Sequence, residues 1–188
     1  MPARTRLLWV LVAVVALVAV DQATKLWAIE TLKPEPAART YLGNTVRIQY
    51  AENKGAFLSL LADASDRQRF LVLTLANGVI LAVVGGVLLL RRLEPLSTVA
   101  FTCIFAGGLS NLIDRIRLDG IVIDFLNVGL GGFRTGIFNI ADMAIMLGFF
   151  LLIAATWRNP DRPDDVSETA TRDSETAAGA TADRPATA

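Results

Sequence analysis

Four long apolar blocks dominate this 188-residue sequence, at residues 7–29, 70–90, 96–113 and 137–157. Each is close to the roughly 20 apolar residues that a helix needs to cross the hydrocarbon core of a bilayer. The first would extend about 35 Å at 1.5 Å per residue, which is enough to span. The whole chain is 53% hydrophobic, above the ~45–50% typical of soluble domains. The sequence therefore predicts a mainly α membrane protein, a bundle of four transmembrane helices.

The first block also has the outline of a secretory signal peptide, because Arg4 and Arg6 precede an unbroken apolar run at residues 7–20. The pattern of small residues that a cleavage site needs is poor, and helical composition continues through Trp27. We therefore favour a retained first span, with Trp27 at the membrane interface.

Two segments between the blocks have β character rather than helical character. Residues 46–50 alternate between apolar and polar side chains, which is strand periodicity, and Asn53 and Gly55 lie in the turn predicted at residues 53–57. Residues 121–125 also resemble a strand. The glycines that follow preclude a steady helix; they are Gly129, Gly131, Gly132 and Gly136. We expect a small extracytoplasmic β element on the membrane surface.

Charge divides the chain into a basic body and an acidic tail. The total charge is zero, but residues 159–188 contain seven acids and three bases, a net of −4. The tail has almost no large apolar residue, so it is predicted to be disordered. The domains expected are a membrane domain, 1–158, and an acidic cytoplasmic tail, 159–188.

The arrangement of cations favours a particular orientation in the membrane. Four spans put both termini on one side, and arginines beside the span ends favour the cytoplasm for that side; they are Arg4, Arg6, Arg91, Arg92 and Arg158. Six cations in the loop between the first two spans weaken this signal. We expect a multi-pass protein of the cytoplasmic membrane, with Asp124 and Asp142 towards the outer face.

Composition excludes several kinds of chemistry. The chain has no histidine and a single cysteine, Cys103. It therefore lacks a His-containing zinc motif, a Ser-His or Cys-His pair, an internal disulfide and a cysteine metal cluster. No metal site is expected, and hydrolytic chemistry would have to come from Asp, Glu, Lys, Ser or Thr.

Asp124 and Asp142 are the carboxylates that most need an explanation. Both lie in or beside strongly apolar sequence, and an ionisable group inside a membrane is a functional-site hypothesis by default. Two carboxyls a few ångströms apart cannot both ionise cheaply, so one keeps a proton and the pair can act as acid and base. The alternative is two solvated aspartates at a membrane boundary.

Two further pairs of charges have both structural and functional interpretations. Asp114 and Arg115 are adjacent in sequence, and either form an ion pair or orient a substrate. Asp21 and Lys25 are four residues apart on one helix face and can pair, which favours a structural role.

Small and amide residues accompany these charges. Gly107 and Gly108 would allow helices to approach closely in lipid. Asn111 lies on a helix face with Asp114 and Arg115, while Asn139 precedes Asp142 by three residues. Both asparagines have a second interpretation as interhelical hydrogen bonds.

Five motifs in order resemble those of the lipoprotein signal peptidase (signal peptidase II) family. Each is weak alone, but five in order on a four-span chain are specific, covering about Leu7–Trp157. They are DQATK at 21–25, NKGAF at 53–57, GGLSNLIDR at 107–115, VIDF at 122–125 and FNIAD at 138–142.

The resemblance implies a membrane aspartic endopeptidase that removes signal peptides from diacylglyceryl-modified prolipoproteins, cutting before the lipidated cysteine. It implies Asp124 and Asp142 as the catalytic dyad. The positions implied to line the site or support substrate are Asn53, Gly55, Asn111, Asp114, Arg115 and Asn139. Those implied to hold the scaffold are Asp21, Lys25, Gly107 and Gly108. The family needs no cofactor and is the target of globomycin.

Three other functions remain open from the residues alone. A proton-coupled carrier would distribute polar residues through the membrane depth, whereas here they cluster near span ends. A non-catalytic adaptor would not need the aspartates, and a Ser–Lys protease would use Ser110 and Lys25. We expect lipid and prolipoproteins as partners, no nucleic acid, and a monomer.

Overall fold

Four helices account for most of the computed structural model, which describes residues 2–35, 37–55 and 65–158. They are α1 (Ala3–Thr31), α2 (Asp66–Leu90), α3 (Pro95–Arg117) and α4 (Ile140–Arg158). All four are long and apolar enough to cross a membrane. Large apolar side chains such as Leu75 and Phe150 are exposed on them, as expected where lipid is the solvent. The predicted fold class, four spanning helices with a small sheet, is confirmed.

The helix ends differ from the predicted spans, because polar residues continue or cap the apolar runs. α3 runs to Arg117 rather than to residue 113, so Asp114 and Arg115 lie inside the helix. α4 begins at Ile140 rather than at residue 137, so Asn139 precedes it. α1 and α2 start four residues earlier than predicted, at Ala3 and Asp66. Hydropathy marks the buried length of a helix, and capping decides where it ends.

A four-stranded antiparallel sheet of order β1-β2-β3-β4 lies at one end of the bundle. Its strands are β1 (Arg39–Tyr41), β2 (Val46–Asn53), β3 (Val122–Leu130) and β4 (Phe133–Arg134). The predicted strands at residues 46–50 and 121–125 are confirmed, and both are longer than expected. β3 contains Gly129 and continues to Leu130, so this glycine is a strand residue.

The core of this end forms where α1 meets β3. Ala28 and Leu32 at the end of α1 pack against Ile123 and Phe125. Successive strand side chains point to opposite faces. Asp124, between Ile123 and Phe125, therefore points away from this core.

The segment before α4 is bound to β3. Phe138 forms a β-bridge with Leu126, and its carbonyl also accepts the N–H of Phe125 at 3.1 Å. Leu126 is two residues from Asp124 along β3. The bridge therefore fixes the start of α4, with Asn139 and Asp142, beside the middle of the sheet.

Glycines on α3 allow its neighbours to approach closely. A Cβ on Gly107 would overlap the carbonyl oxygen of Ala141 on α4, and one on Gly108 would lie 2.9 Å from Leu81 of α2. Close approach through small residues is how helices associate without a hydrophobic driving force. α3 is thus packed directly between α2 and the first turn of α4.

The chain divides into two units, Met1–Ala155 and Thr156–Ala188. The first holds the sheet and nearly all of the helices; of the second, the structure describes residues 156–158. The predicted disorder of residues 159–188, and residues 56–57 of the predicted turn, lie outside the described residues.

Candidate active site

Asp124 is buried in β3, with only 2% of its surface exposed. Its Oδ2 accepts the side-chain amide of Asn53 at 2.9 Å, and its Oδ1 accepts that of Asn139 at 2.7 Å. Pairing of Ala51 with Asp124 and of Asn53 with Val122 sets this arrangement, because it places the end of β2 alongside the aspartate. Both oxygens are thus held by neutral amides.

Asp142 lies half-buried in the first turn of α4. Its Oδ1 accepts the amide of Asn111 at 2.8 Å, and its Oδ2 accepts the backbone N–H of Asn139 at 3.2 Å. Asn139 Oδ1 accepts the backbone N–H of Asp142 at 2.9 Å, so the two residues cap the helix reciprocally. A helix N-terminus stabilises negative charge, and Asp142 lies there.

Two asparagines connect the carboxylates. The Nδ2 of Asn139 reaches Asp124 and also lies 3.2 Å from Asn111 Oδ1, while Asn111 Nδ2 reaches Asp142. Each amide turns its donor to a carboxylate and its acceptor to an N–H, so rotating either amide would replace good bonds with clashes of like dipoles. The order of residues along this chain of hydrogen bonds is Asp124, Asn139, Asn111, Asp142. We call these four residues with Asn53 the dyad site.

The environment raises the pKa of Asp124 from 3.8 to about 6. Burial is the main cause, and the neighbouring charge of Asp142 is the second. Hydrogen bonds from Asn53 and Asn139 oppose the rise. A carboxyl with this pKa holds its proton well above the range of a free aspartate, as an acid/base pair requires.

A second polar group lies between α1 and α3, built around Lys25, which is 2% exposed. Its ammonium contacts Asp21 at 2.7 Å, Asp114 at 2.8 Å and the amide oxygen of Asn111 at 2.9 Å. Three acceptors match the three N–H donors of a lysine. The predicted pairing of Asp21 and Lys25 is found.

Asp21 and Asp114 have further partners that fix the fold. Asp21 accepts the Ser110 hydroxyl at 2.7 Å and the backbone N–H of Ala141 at 2.8 Å, which connects α1 to α3 and α4. Asp114 accepts the amide of Gln22 at 2.8 Å and the backbone N–H of Ile123 at 3.3 Å. We call Asp21, Gln22, Lys25, Ser110 and Asp114 the lysine cluster.

The structure does not support an Asp114–Arg115 ion pair. Residues adjacent in a helix point about 100° apart, so Asp114 and Arg115 face different neighbours. Asp114 pairs with Lys25. Arg115 instead donates to the carbonyl of Gly120 at 2.9 Å and lies within electrostatic range of Asp124, Asp142 and Asp114. The other interpretation made from sequence, that Arg115 orients a substrate, stays a prediction.

Asn53 and Gly55 form a tight turn after β2. Asn53 Oδ1 accepts the Gly55 N–H at 2.8 Å, leaving the amide nitrogen for Asp124. Gly55 has φ +76°, and a Cβ there would overlap Leu73 and lie 3.5 Å from the Arg115 guanidinium. Only glycine suits this backbone and this space.

Gln22 was missed as a site residue, although it stands inside the DQATK motif. It joins Ser110 and Asp114, and its oxygen accepts Arg117 at 3.1 Å. A glutamine near the end of an apolar span was the available signal.

Ser110 is fully buried and bonded to Asp21, which leaves no reactive hydroxyl for the Ser–Lys alternative. In the part of the chain that the structure describes, no cluster of three metal-binding side chains occurs.

Fold and site together define a multi-pass membrane protein with two carboxylates held side by side through amides at one end of the helices. A family model described as signal peptidase (SPase) II matches residues 13–158, and the chain belongs to this family of membrane peptidases.

Relatives and solved structures agree with this membership. The lipoprotein signal peptidase of Pseudoalteromonas atlantica is 35% identical over 85% of this chain and 94% of its own length. That of Geobacter sulfurreducens is 41% identical over 70% of this chain and 81% of its own. A solved structure described as a bacterial membrane enzyme at 2.3 Å superposes with TM-score 0.66 at 27% identity, covering 83% of this chain and 92% of that one.

Proposed function

We propose that the protein is an aspartic endopeptidase that removes signal peptides from diacylglyceryl-modified prolipoproteins, cutting immediately before the lipidated cysteine. The observation that carries the proposal is the amide chain between Asp124 and Asp142, which holds two carboxylates together with neutral amides as their bonded side-chain partners among the described residues. Membership of the signal peptidase II family supports the substrate class. No cofactor is part of the proposal.

The two aspartates take different roles. Asp124 has the raised pKa and holds the shared proton, so it polarises the scissile carbonyl by donating a hydrogen bond. Asp142, at the N-terminus of α4, is the carboxylate that takes a proton from the attacking water. The water oxygen bonds to the carbonyl carbon, and the resulting tetrahedral intermediate breaks when Asp142 returns the proton to the leaving amine.

Two neighbours act on the substrate in this proposal. Asn53 is exposed at the end of β2 and also holds Asp124, so it contacts the peptide that lies over the dyad. Arg115 supplies positive charge beside the two carboxylates, and stabilises the negative charge that develops on the substrate oxygen.

We infer a need for lipid on the substrate from the position of the site. The dyad site lies where apolar helices meet the sheet, so acyl chains on the substrate cysteine can remain in the membrane while the scissile bond reaches the aspartates. Each buried CH₂ contributes about 0.8 kcal/mol, so two chains fix depth more firmly than a few hydrogen bonds. We place this site towards the outer face of the cytoplasmic membrane, and the enzyme acts as a monomer.

The test compares one precursor with and without its diacylglyceryl group, in the same detergent, using the purified protein. We expect kcat/KM to fall by orders of magnitude without the lipid. The inactive Asp124→Asn protein is the control for contaminating proteases. Equal cleavage of the two precursors would overturn the positioning argument, and the mass of the released product checks that the cut precedes the cysteine.

A further inference from the structure

A groove of about 780 Å³ runs between α1 and α3 in the half of the bundle away from the dyad site. On α1 its walls are side chains that recur every three or four residues, from Arg6 through Ala13 to Leu17, and so share one helix face. On α3 the matching face includes Thr98, Thr102 and Cys103. We call this feature the α1–α3 groove.

The walls of the groove are apolar along its length. The hydroxyl of Thr98 donates to the carbonyl of Glu94 at 2.9 Å, and that of Thr102 donates to the carbonyl of Thr98 at 2.7 Å. Both hydroxyls are therefore satisfied by their own helix. Trp9, Val10 and other apolar groups complete the lining, so the groove suits a hydrocarbon chain rather than a polar ligand.

The mouth of the groove is basic. Arg6 and Arg92 are its charged lining residues. Arg4 lies two residues before Arg6 in the sequence, and Arg91 lies directly before Arg92. Arg6 donates to the carbonyls of Arg91 at 2.9 Å and Leu88 at 3.3 Å, which uses two of the five donors of a guanidinium. The nearest carboxylate in sequence is Glu94, which precedes α3 and accepts the Ser97 hydroxyl at 3.3 Å.

The length of the groove matches one leaflet of a bilayer. From Arg6 to Leu17 is eleven residues, or about 16 Å at 1.5 Å per residue, roughly half of a 30 Å hydrocarbon core. A basic mouth at the polar end and an apolar slot of this depth are complementary to an anionic headgroup with its acyl chain.

We propose that the α1–α3 groove is a binding site for an anionic phospholipid, with one acyl chain between α1 and α3 and the phosphate at Arg6 and Arg92. The site lies away from the dyad and does not depend on the proposed peptidase function. The acidic segment 159–188 has negative charge that is complementary to the arginines at the mouth, but it has almost no large apolar residue to fill the space between the walls. Lipid is therefore the occupant that the lining favours.

Tryptophan fluorescence provides the test, because Trp9 lines the groove and is 62% exposed. Of the three tryptophans in the chain, only Trp9 remains in the variant Trp27→Phe/Trp157→Phe. This full-length protein is placed in phosphatidylcholine vesicles that contain a fraction of chain-brominated lipid, which quenches nearby indoles. Brominated phosphatidylglycerol is compared with brominated phosphatidylcholine.

We expect the anionic lipid to associate at Trp9 at least about fivefold more strongly, since one arginine near a membrane surface contributes about 1 kcal/mol, equivalent to that factor. Arg92→Gln should reduce the preference, and Ala13→Phe should abolish it by filling the groove. Arg91→Gln is the matched control, because it removes the same charge from a residue outside the lining, and the preference should persist.

Four results would overturn the proposal. The first is no preference at Trp9, and the second is an equal loss in Arg91→Gln, which would indicate general surface charge. The third is an equal preference at Trp27, which is about 27 Å further along α1 and is retained in Trp9→Phe/Trp157→Phe. The fourth is loss of the preference on adding inorganic phosphate but not chloride of equal ionic strength, which would indicate a free-anion site.

The competing occupant has its own outcome. If the full chain shows no preference and a chain ending at Arg158 shows one, the acidic segment occupies the mouth and lipid does not. Retention of the preference in both chains, with the variant pattern above, supports the lipid site.

Discussion

The dyad site and the lysine cluster use similar side chains but balance charge differently. The lysine cluster sets two carboxylates against one ammonium, with contacts of 2.7 and 2.8 Å. The dyad site sets two carboxylates against neutral amides, with bonds of 2.7 to 2.9 Å. An ammonium offsets the cost of burying a carboxylate, whereas burial without such a cation raises the pKa of the carboxyl, as it does for Asp124. We infer that the first arrangement builds structure and that the second makes a proton available for chemistry.

Asn111 connects the two groups. Its oxygen accepts Lys25 at 2.9 Å while its nitrogen donates to Asp142 at 2.8 Å. The lysine cluster therefore orients a residue that holds Asp142, as outer partners orient the ligands of a metal. The comparison predicts that damage to the dyad site abolishes turnover and spares the fold, and that damage to the lysine cluster does the reverse.

The largest effect is expected on activity when either aspartate of the dyad loses its acid function. Asp124→Asn and Asp142→Asn should each lower kcat by at least about a thousandfold, because each carboxyl transfers or holds a proton in the reaction. Turnover is measured on a lipidated precursor. Near-normal turnover in either variant would remove the aspartic mechanism.

Stability distinguishes this loss from misfolding. The raised pKa of Asp124 means that the fold binds the proton of this carboxyl more tightly than the unfolded chain does. Its contribution to stability is therefore present below pH 3.8 and is lost as the pH rises through about 6. Asp124→Asn should have an unchanged or higher melting temperature at pH 7, and should lose this part of the pH dependence of stability.

The second effect is on the fold and comes from Lys25→Met. Removing the ammonium leaves Asp21 and Asp114 buried, at 1% and 3% exposure, without a cation. Breaking a buried ion pair in this way costs about 3–5 kcal/mol, so we expect loss of folded protein. Thermal unfolding in detergent measures this loss.

Lys33→Met is the matched control, because Lys33 pairs with Glu52 at 3.0 Å and its side chain is 55% exposed. An exposed pair contributes about 0–1 kcal/mol, so the control should remain folded. If Lys25→Met folded normally but lost turnover, the lysine cluster would belong to the chemistry and the comparison would need revision.

The sequence predicts the lysine cluster only in part. Asp21 and Lys25 are one helical turn apart, so their pairing follows from spacing alone. The pairing of Asp114 depends on which face of α3 meets α1, and helix packing is not visible in local sequence. An ion pair between Asp114 and Arg115 was one of two interpretations open from the sequence, and Asp114 pairs with Lys25 instead.

The dyad site shows the same limit more strongly. Asp124 and Asp142 are eighteen residues apart, and their chemistry identified them as candidates. Their proximity follows from the bridge between Leu126 and Phe138, a pairing across a glycine-rich return that periodicity does not predict. The four spans, in contrast, were predictable because bilayer thickness fixes their length.

The third effect concerns Asn53, which belongs to the dyad site but is exposed. Asn53→Ala removes a hydrogen bond to Asp124, which contributes about 1.5–3 kcal/mol in the states of the reaction where Asp124 is ionised. We expect kcat/KM to fall about 10- to 100-fold, with no change in melting temperature. Glu52→Ala is the control, because the side chain of Glu52 points to the face of β2 opposite to that of its neighbour Asn53. A stability loss in Asn53→Ala alone would assign the residue to the scaffold.

The smallest effect is a pair of opposite shifts in the pKa of Asp124. Asp142→Asn removes a like charge that raises this pKa, so the value should move from about 6 towards 3.8. Asn53→Ala removes a hydrogen bond that lowers it, so the value should move above 6. The infrared band of a protonated carboxyl, identified by its loss in Asp124→Asn, can be followed against pH in both variants.

Turnover should follow the same signs where it can be measured. Activity needs one proton on the pair, so kcat/KM falls as the pH rises past the pKa that governs that proton. In Asn53→Ala the residual activity should therefore persist to higher pH than in the unmodified protein. The fall of kcat/KM at high pH reports the pair of carboxyls rather than Asp124 alone. The infrared measurement is therefore needed to follow Asp124 itself. Shifts of the same sign in both variants would show that a change in burial outweighs the charge and the hydrogen bond. The dyad site would then differ from the lysine cluster in exposure to water rather than in charge balance.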